Sequence, residues 1–359
     1  MSDIIKKIKE ILMNSSNPLY FFDNDVDGLA SFLLFKKTYE KGKGVAIKTF
    51  PELSFNYIRK IEEINPDSIF VLDKPKISKL FLDYIKDKNY HFVWIDHHKD
   101  INMLEYFDQN VRILFNPTIL KGISKPTTYW VYELIENKKY LWIAGLGCIS
   151  DWFIPEYFDQ IYNEYKDLFE IGKTEDVSKI LYETSFGKII QILNFGLKDT
   201  TTNITKMLKF LSKVETPYEI LEINEKNKGI HKRFNYIYKK FSKLIEKAEN
   251  FAKHEILFFQ YGGNLSISAE ISNALLYKYP NKIIVVAYLK GDTAKISIRS
   301  RYKIRDIVIK AINGIENASA GGHDCALGAS MKIEDLDRFK SNLLRLWKEE
   351  KKNLIEEKI

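Results

Sequence analysis

The chain has 359 residues, with 55 Lys and Arg against 48 Asp and Glu, a net charge of +7 and 45% hydrophobic residues. This composition is that of ordinary globular domains, about two for this length, and it excludes a disordered chain. Two cysteines are too few for a disulfide framework, so we expect a reducing, cytoplasmic setting. The longest apolar run is about half of the roughly 20 residues that a membrane helix needs, and the N-terminus lacks a signal-peptide pattern. We therefore expect no membrane association.

Short apolar runs alternate with amphipathic stretches in the first third of the chain. The predicted strands are residues 18–22, 45–50, 68–72, 91–95 and 113–115, and the predicted helices between them include residues 28–39 and 78–86. This alternation is typical of a mostly parallel sheet with helices on both faces. Such sheets bind their ligands at the carboxyl ends of the strands.

Residues 156–251 show helical patterning and no convincing strand. Apolar residues recur at steps of three and four from Phe234 to Phe251, which predicts one long amphipathic helix. Residues 226–253 carry eight Lys and one Arg against two Glu. A basic face of this kind attracts polyanions such as nucleic acid, although a charge run is also typical of a solvated surface.

Strand patterning returns at residues 255–259, 283–289 and 295–298, followed by a glycine-rich segment and a charged helix from about residue 333. This order predicts a second, smaller α/β domain. The expected organisation is a first α/β domain over residues 1–190, a helical extension with a connecting helix over residues 191–253, and the second domain over residues 254–359.

The first cluster of acidic residues, Asp23, Asp25 and Asp27, follows a strand and precedes Gly28. Three carboxylates on alternate residues of an extended segment point to one side, and such crowding is costly unless a cation neutralises it. A calcium loop of the EF-hand type is disfavoured because Leu34 stands where the loop needs Glu. A phosphatase with the first Asp as nucleophile and a plain Asp-capped turn stay open as alternatives.

Three further groups follow predicted strands or helices. Asp73 closes the third strand, Asp96, His97 and His98 follow the fourth, and Asp151 ends an apolar segment. A lone strand-end Asp is also typical of a helix cap, but adjacent histidines after a strand are less common. Because the strand ends of a parallel sheet share one edge, we expect these groups to meet the first cluster. A mixed Asp and His donor set favours manganese, with magnesium or cobalt as alternatives.

The order of these motifs, Asp-x-Asp-x-Asp-Gly, a strand-end Asp, Asp-His-His and a later Asp-Trp, resembles that of the DHH phosphoesterase superfamily, which includes the RecJ exonucleases. Residues 320–328, Ala-Gly-Gly-His-Asp-Cys-Ala-Leu-Gly, resemble the Gly-Gly-His signature of the associated DHHA1 domain. Residues 297–300, Ser-Ile-Arg-Ser, resemble its Ser-x-Arg-Ser strand end. The resemblance implies a two-lobed α/β fold, in which a long helix joins a larger parallel-sheet DHH domain to a smaller α/β DHHA1 domain.

The resemblance also implies a site for two divalent metal ions. Its expected ligands are Asp23, Asp25, Asp27, Asp73, His97 and Asp151. Asp25, with help from Asp23, would hold one ion, and Asp73 would bridge both. Asp27, His97 and Asp151 would hold the other ion. The catalytic residues would be Asp73, His97 and His98, with His98 facing the scissile phosphate and Asp96 orienting His97. The implied substrate-binding residues are His98, Arg299, Ser300, Gly321, Gly322 and His323.

The chain departs from the family pattern in the first motif and after the strand-end Asp. Many relatives have His where this chain has Asp23, and relatives often carry Gly or another small residue where this chain has Lys74 and Pro75. Both departures concern the first of the two expected metal positions.

The resemblance implies a manganese-dependent exonuclease, similar to archaeal RecJ-like proteins of DNA repair. It would hydrolyse the terminal phosphodiesters of single-stranded RNA or DNA from 3′ to 5′ and release nucleoside 5′-monophosphates. Two alternatives stay open: a hydrolase of nano-oligonucleotides or other small phosphodiesters, and a catalytically reduced scaffold associated with replication. Besides single-stranded RNA or DNA, the expected partners are a second copy of the chain and replication or repair proteins.

Overall fold

The computed structural model describes residues 1–49, 52–99, 101 and 103–356. Phe50, the end of a predicted strand, and residues 357–359, the end of the expected second domain, lie outside this part. The chain divides into two compact units, Met1–Phe234 and Asn235–Ile359. Among the described residues, no helix combines the length and the apolar character that a membrane crossing requires.

The first unit contains a five-stranded parallel sheet. The strands of the first unit are β1 (Pro18–Asp23), β2 (Lys43–Ile47), β3 (Glu52–Leu53), β4 (Ser68–Leu72), β5 (Lys76–Ile77), β6 (His91–Ile95) and β7 (Arg112–Phe115). The main sheet has the order β2-β1-β4-β6-β7, and every neighbouring pair in it is parallel. Strands β3 and β5 form a separate small parallel pair.

Helices connect these strands and fill the rest of the first unit. They are α1 (Ser2–Asn14), α2 (Val26–Tyr39), α3 (Ile58–Ile64), α4 (Lys79–Asp87), α5 (Pro117–Lys121), α6 (Thr127–Ile135), α7 (Leu141–Ser150), α8 (Phe158–Glu164), α9 (Val177–Glu183), α10 (Ser185–Leu197), α11 (Thr201–Leu211) and α12 (Tyr218–Leu221). Helix α13 (Lys228–Glu249) crosses the division between the two units in sequence.

Both faces of the main sheet are covered by helices. On one face Phe22 of β1 stacks on Phe32 of α2, with ring centroids 5.2 Å apart. On the other face Phe21 meets Phe81 of α4 edge to face at 5.8 Å. Consecutive residues of one strand are therefore both buried, which explains why the strands read as continuous apolar runs. The predicted parallel α/β architecture is confirmed.

The part of the chain that separates the two sheets in sequence is helical, as predicted. From α8 to the end of α13, all within the described residues, there is no strand. Helix α13 buries Phe234, Ile237, Phe241 and Ala248 along one stripe. The helix ends at Glu249, and Phe251 lies in the following turn with 46% of its surface exposed. The prediction that the buried stripe extends to Phe251 is therefore wrong.

The second unit is built on a mixed five-stranded sheet. Its strands are β8 (Ile256–Gly262), β9 (Ile283–Lys290), β10 (Thr293–Arg299), β11 (Ser319–His323) and β12 (Ala326–Lys332), and its helices are α14 (Ser268–Lys278), α15 (Arg305–Ile312) and α16 (Leu336–Glu356). The order is β11-β12-β10-β9-β8. Only the β8–β9 pair is parallel. Apolar side chains of the strands, α15 and α16 form one core.

The glycine-rich segment forms the hairpin of β11 and β12, which the sequence patterning does not predict. Strand β12 pairs with β10 along its whole length, and His323 lies opposite Ala326 where the hairpin closes. Gly322 has a φ of +130°, a conformation that side-chain-bearing residues rarely adopt. A Cβ at this position would also lie 2.5 Å from the Ala326 carbonyl oxygen, so the hairpin requires this glycine.

Candidate metal centre

Three neighbouring strands bring acidic residues to one edge of the main sheet. Asp23 is the last residue of β1, Asp73 follows β4, and Asp96 follows β6. These strands are adjacent and parallel in the order β1-β4-β6, so their carboxyl ends lie side by side. The edge thus gathers carboxylates that lie far apart in the sequence.

The His97 side chain lies among three of these carboxylates. Its Nε2 atom is 3.4 Å from Asp73 Oδ1, 3.7 Å from Asp151 Oδ2 and 4.0 Å from Asp27 Oδ2. Donor atoms of Asp27, His97 and Asp151 lie within 4.8 Å of one another, and so do donor atoms of Asp73, His97 and His98. Asp151 keeps 42% of its side chain exposed, whereas Asp27, Asp73 and His97 are buried. These oxygen and imidazole donors fit a divalent transition metal reached from the Asp151 side.

The start of helix α6 holds the Asp27 carboxylate. The backbone N–H groups of Thr127 and Thr128 donate to its two oxygens at 2.9 and 2.7 Å. The Thr128 hydroxyl also donates to the Asp27 carbonyl oxygen at 2.8 Å. The first N–H groups of a helix have no partner within it and carry a partial positive charge, so a carboxylate suits this position. Asp27 is therefore fixed in one orientation beside His97.

The first turn of α2 packs against the end of β1. Asp25 caps the helix, since its Oδ1 accepts the N–H of Gly28 at 3.0 Å. A Cβ at position 28 would lie 2.7 Å from the carbonyl oxygen of Asp23, so only glycine fits this approach. Burial, together with the nearby charges of Asp23 and Asp27, raises the pKa of Asp25 to about 7. The three acids of the motif thus occupy a strand end, a helix cap and a helix turn.

The Asp73 side chain is buried, and its backbone has a φ of +58°. The Thr127 hydroxyl donates to its Oδ1 at 3.1 Å. Burial, followed by the charges of Asp27 and Asp25, raises the pKa of Asp73 well above its ordinary range. Buried like charges of this kind are costly unless a cation compensates them. The crowding of buried carboxylates, like the geometry of the donor atoms, therefore indicates a site for a cation.

Asp96 fixes the ring of His98. It accepts hydrogen bonds from the His98 backbone N–H at 2.8 Å and lies 2.9 Å from His98 Nδ1. The Asn116 side-chain amide donates to both Asp96 and the His98 carbonyl oxygen. Burial lowers the pKa of His98, but the Asp96 carboxylate raises it more, to about 9. The sequence resemblance gives Asp96 a role at His97, whereas these contacts give it a role at His98.

Asp23 forms an ion pair with a buried lysine. Lys74 Nζ is 2.8 Å from Asp23 Oδ1 and donates to the carbonyl oxygen of Thr49 at 2.9 Å. The backbone N–H of Asn24 also donates to Asp23 Oδ1. The side chain of Lys74 has no exposed surface. At the end of the cluster formed by Asp23, the positive charge is therefore supplied by the protein itself, as the ammonium of Lys74.

The second unit places several of the expected substrate-binding residues together. Strand pairing sets Arg299 of β10 and His323 of β11 on either side of Ala326 of β12. The Arg299 guanidinium donates to the Asn273 side chain at 2.7 Å and to two backbone carbonyls. Ser300 is buried and its hydroxyl accepts the N–H of Tyr302, so it shapes the turn after β10. Arg299 and His323 thus lie at one end of the sheet.

Comparisons with known proteins agree with this architecture. A model of the DHHA1 domain matches residues 245–349. The fold of 96% of the chain matches that of RecJ from Thermus thermophilus in complex with Mn²⁺, with a TM-score of 0.66 and 14% sequence identity. Residues 245–349 therefore match a DHHA1 domain, and the chain as a whole has the fold of RecJ. It spans 54% of the length of the Thermus RecJ chain.

Two other solved structures share this fold. A manganese-bound exonuclease RecJ matches over 95% of this chain and 92% of its own, with a TM-score of 0.60 and 12% identity. CDC45 from Entamoeba histolytica matches over 97% of both chains, with a TM-score of 0.50 and 10% identity. A comparison with curated proteins gives no match. Identities this low establish the fold and leave the activity to be argued from the site.

Several residues of the candidate metal centre are not evident from the sequence. Thr127 and Thr128 hold Asp27 and Asp73, and Asn116 holds Asp96 and His98. The available signal was a Pro-Thr-Thr start of a helix and an Asn-Pro start of another, both typical of helix N-termini. Such signals indicate a cap and do not indicate which carboxylate it meets.

Proposed function

We propose that the protein is a divalent-metal-dependent phosphodiesterase that removes nucleotides from the ends of single-stranded RNA or DNA, from 3′ to 5′. The observation that carries this proposal is the cluster of Asp27, Asp73, His97 and Asp151 at the edge of the main sheet. Phosphodiester hydrolysis needs a water nucleophile and compensation of negative charge, and such a centre supports both.

Four residues would hold the metal: Asp27, Asp73, His97 and Asp151. A bound divalent ion supplies an activated water and compensates charge on the phosphate. The mixture of carboxylate and imidazole donors favours manganese over magnesium. Thr127 keeps Asp73 in place through its hydroxyl, and Thr128 keeps Asp27 in place through its backbone N–H. Because partners of metal ligands orient them, we assign both threonines a positioning role.

His98 is the residue best placed to meet the phosphate beside the metal ligands. Donor atoms of His98, Asp73 and His97 lie within 4.8 Å of one another. The side chain of His98 is 28% exposed, and Asp96 holds its ring through Nδ1. A ring N–H of His98 would donate to a phosphate oxygen. His98 would then bind the substrate and stabilise the charge that develops on it.

The DHHA1 domain would bind the nucleic acid. Arg299 and His323 lie at one end of its sheet, and Gly321 and Gly322 are exposed there. Arginine forks and backbone N–H groups of glycines are suited to phosphate oxygens. The basic helix α13 adds positive charge, and its Tyr236 is 50% exposed, as base stacking requires. The match to an exonuclease RecJ favours action at chain ends.

The proposal is tested with linear and circular single strands of one sequence, incubated with Mn²⁺ or with EDTA. We expect degradation of the linear strand with Mn²⁺ and none of the circular strand. Strands labelled at either end establish the polarity, and a dinucleotide compared with a twenty-mer separates an exonuclease from a nano-oligonucleotide hydrolase. Absence of hydrolysis of every substrate with every divalent metal would contradict the proposal.

A catalytically reduced scaffold is the second candidate, and the fold match to CDC45 is the observation that favours it. The retained carboxylates of Asp27, Asp73 and Asp151 argue against it, since their crowding is costly without a cation. A protein that binds no metal and hydrolyses no phosphodiester would support the scaffold.

A further inference from the structure

The two ends of the acidic cluster differ in how their charge is compensated. At one end, Asp27, His97 and Asp151 present donor atoms to one another within 4.8 Å. At the other end, Lys74 Nζ lies 2.8 Å from Asp23 Oδ1. The chain thus places a fixed ammonium beside the carboxylate that, by resemblance, would help Asp25 to hold the first metal ion.

The contacts of Lys74 fix its ammonium at this position. The group also donates to the Thr49 carbonyl oxygen at 2.9 Å, and the backbone carbonyl of Lys74 accepts the indole N–H of Trp94 at 2.9 Å. A divalent ion on the Asp23 carboxylate would lie next to this ammonium, and the two positive charges would repel each other at short range. Moving the ammonium away would leave a buried lysine charge without its carboxylate, which proteins tolerate poorly.

We propose that Lys74 replaces one of the two metal ions, so that the chain binds a single divalent ion through Asp27, Asp73, His97 and Asp151. In this arrangement Asp23 is the partner of a lysine and is not a metal ligand. Lys74 has no exposed surface and therefore compensates charge without touching the substrate. The inference rests on the proposed metal dependence and concerns the number of ions.

The test counts ions. Purified protein is loaded with Mn²⁺, and bound manganese per chain is measured by native mass spectrometry and by elemental analysis. We expect one ion in the unmodified protein and two in Lys74→Ala, where the carboxylate of Asp23 loses its ammonium. The matched control is Lys37→Ala, which removes another buried lysine paired with a carboxylate, Glu215 at 3.5 Å, and should leave the count at one.

A second variant, Asp23→Asn, keeps the inference testable if Lys74→Ala folds poorly. It should still bind one ion, because Asp23 is not a ligand in the presence of Lys74. Where Lys74→Ala folds, adding Asp23→Asn to it should lower the count from two to one. Two ions in the unmodified protein, or one in a folded Lys74→Ala, would overturn the inference and leave metal-dependent hydrolysis intact. A count of zero in the unmodified protein would overturn both.

Discussion

Asp73 combines a buried carboxylate with a left-handed backbone, so the choice of substitution at this position matters. Asn tolerates a φ of +58° and removes the charge, whereas most other residues would add backbone strain. We expect Asp73→Asn to lower the rate of phosphodiester hydrolysis by more than the roughly 10–100-fold that follows loss of a ligand's partner. The measurement is kcat/KM on a linear strand with saturating Mn²⁺.

The control for Asp73→Asn is the unfolding temperature without metal. Relief of like-charge crowding should keep it at or above that of the unmodified protein. Hydrolysis at the unmodified rate by a folded Asp73→Asn would show that the reaction occurs elsewhere.

Asp67, which has no part in the proposed reaction, gives a pH dependence that can be measured on stability. Its carboxylate accepts hydrogen bonds from the hydroxyl of Ser15 and from the backbone N–H groups of Ser16 and Asn17. Partial burial raises the pKa of Asp67, but these hydrogen bonds outweigh it and lower the pKa to about 2. A lowered pKa contributes stability above the ordinary value near 4, and this contribution is lost as the pH falls towards 2.

The corresponding variant is Asp67→Asn. We expect it to lower the free energy of unfolding by about 1–2 kcal/mol at pH 7, as for other carboxylates that cap backbone N–H groups. Urea denaturation at several pH values tests this. The stability difference between the two proteins should shrink from pH 4 to pH 2, and a constant difference would contradict the assignment.

The metal-binding candidates could be predicted from the sequence because each lies at or within a few residues of the end of an apolar strand or helix. Their partners could not. Lys74 follows Asp73 in sequence, yet its ammonium meets Asp23, 51 positions away. Thr127 reaches Asp27 and Asp73 from a helix whose position depends on the packed fold. Such contacts depend on tertiary geometry, which local sequence patterns do not contain.

At the scale of elements, the contact between α2 and β1 determines the geometry of the first motif. A methyl group at Gly28 would press on the backbone of Asp23, which has no flexible end to yield. We expect Gly28→Ala to destabilise the protein by about 1–3 kcal/mol and to weaken Mn²⁺ binding. Urea denaturation and Mn²⁺ titration measure the two effects.

The matched control for this glycine is Gly229→Ala in helix α13. A Cβ there meets nothing within 4 Å, so the change should be neutral or stabilise by about 0.5–1 kcal/mol. If both alanine variants behaved alike, the close approach of α2 to β1 would not matter for the site.

Elements with strong apolar patterns were predicted well, and those without were not. Strands β4 and β6 occupy the predicted residues because buried strands of a parallel sheet read as continuous apolar runs. Strand β11 consists of Ser, Ala, Gly, Gly and His, which have little intrinsic preference for a strand. Its extended conformation comes from pairing with β12, a long-range effect that a local pattern does not reveal.

For the whole molecule, metal binding should appear as stability. An ion that binds only the folded chain stabilises it by about 2.7 kcal/mol at 100 times its dissociation constant. We therefore expect Mn²⁺ to raise the unfolding temperature of the unmodified protein, as measured by differential scanning fluorimetry. His97→Gln should abolish most of this shift, because it removes the imidazole among the three carboxylates. An equal shift in both proteins would place the ion elsewhere.

Strand β11 also forms an outer edge of the second sheet. Open edges of long apolar strands recruit strands from neighbouring molecules and so promote aggregation and fibrils. This edge is only five residues long, it is largely exposed, and two of its residues are glycines, which pair weakly. The backbone of this edge can thus hydrogen-bond to water or to an extended ligand, while the strand has little tendency to pair with other copies of the protein.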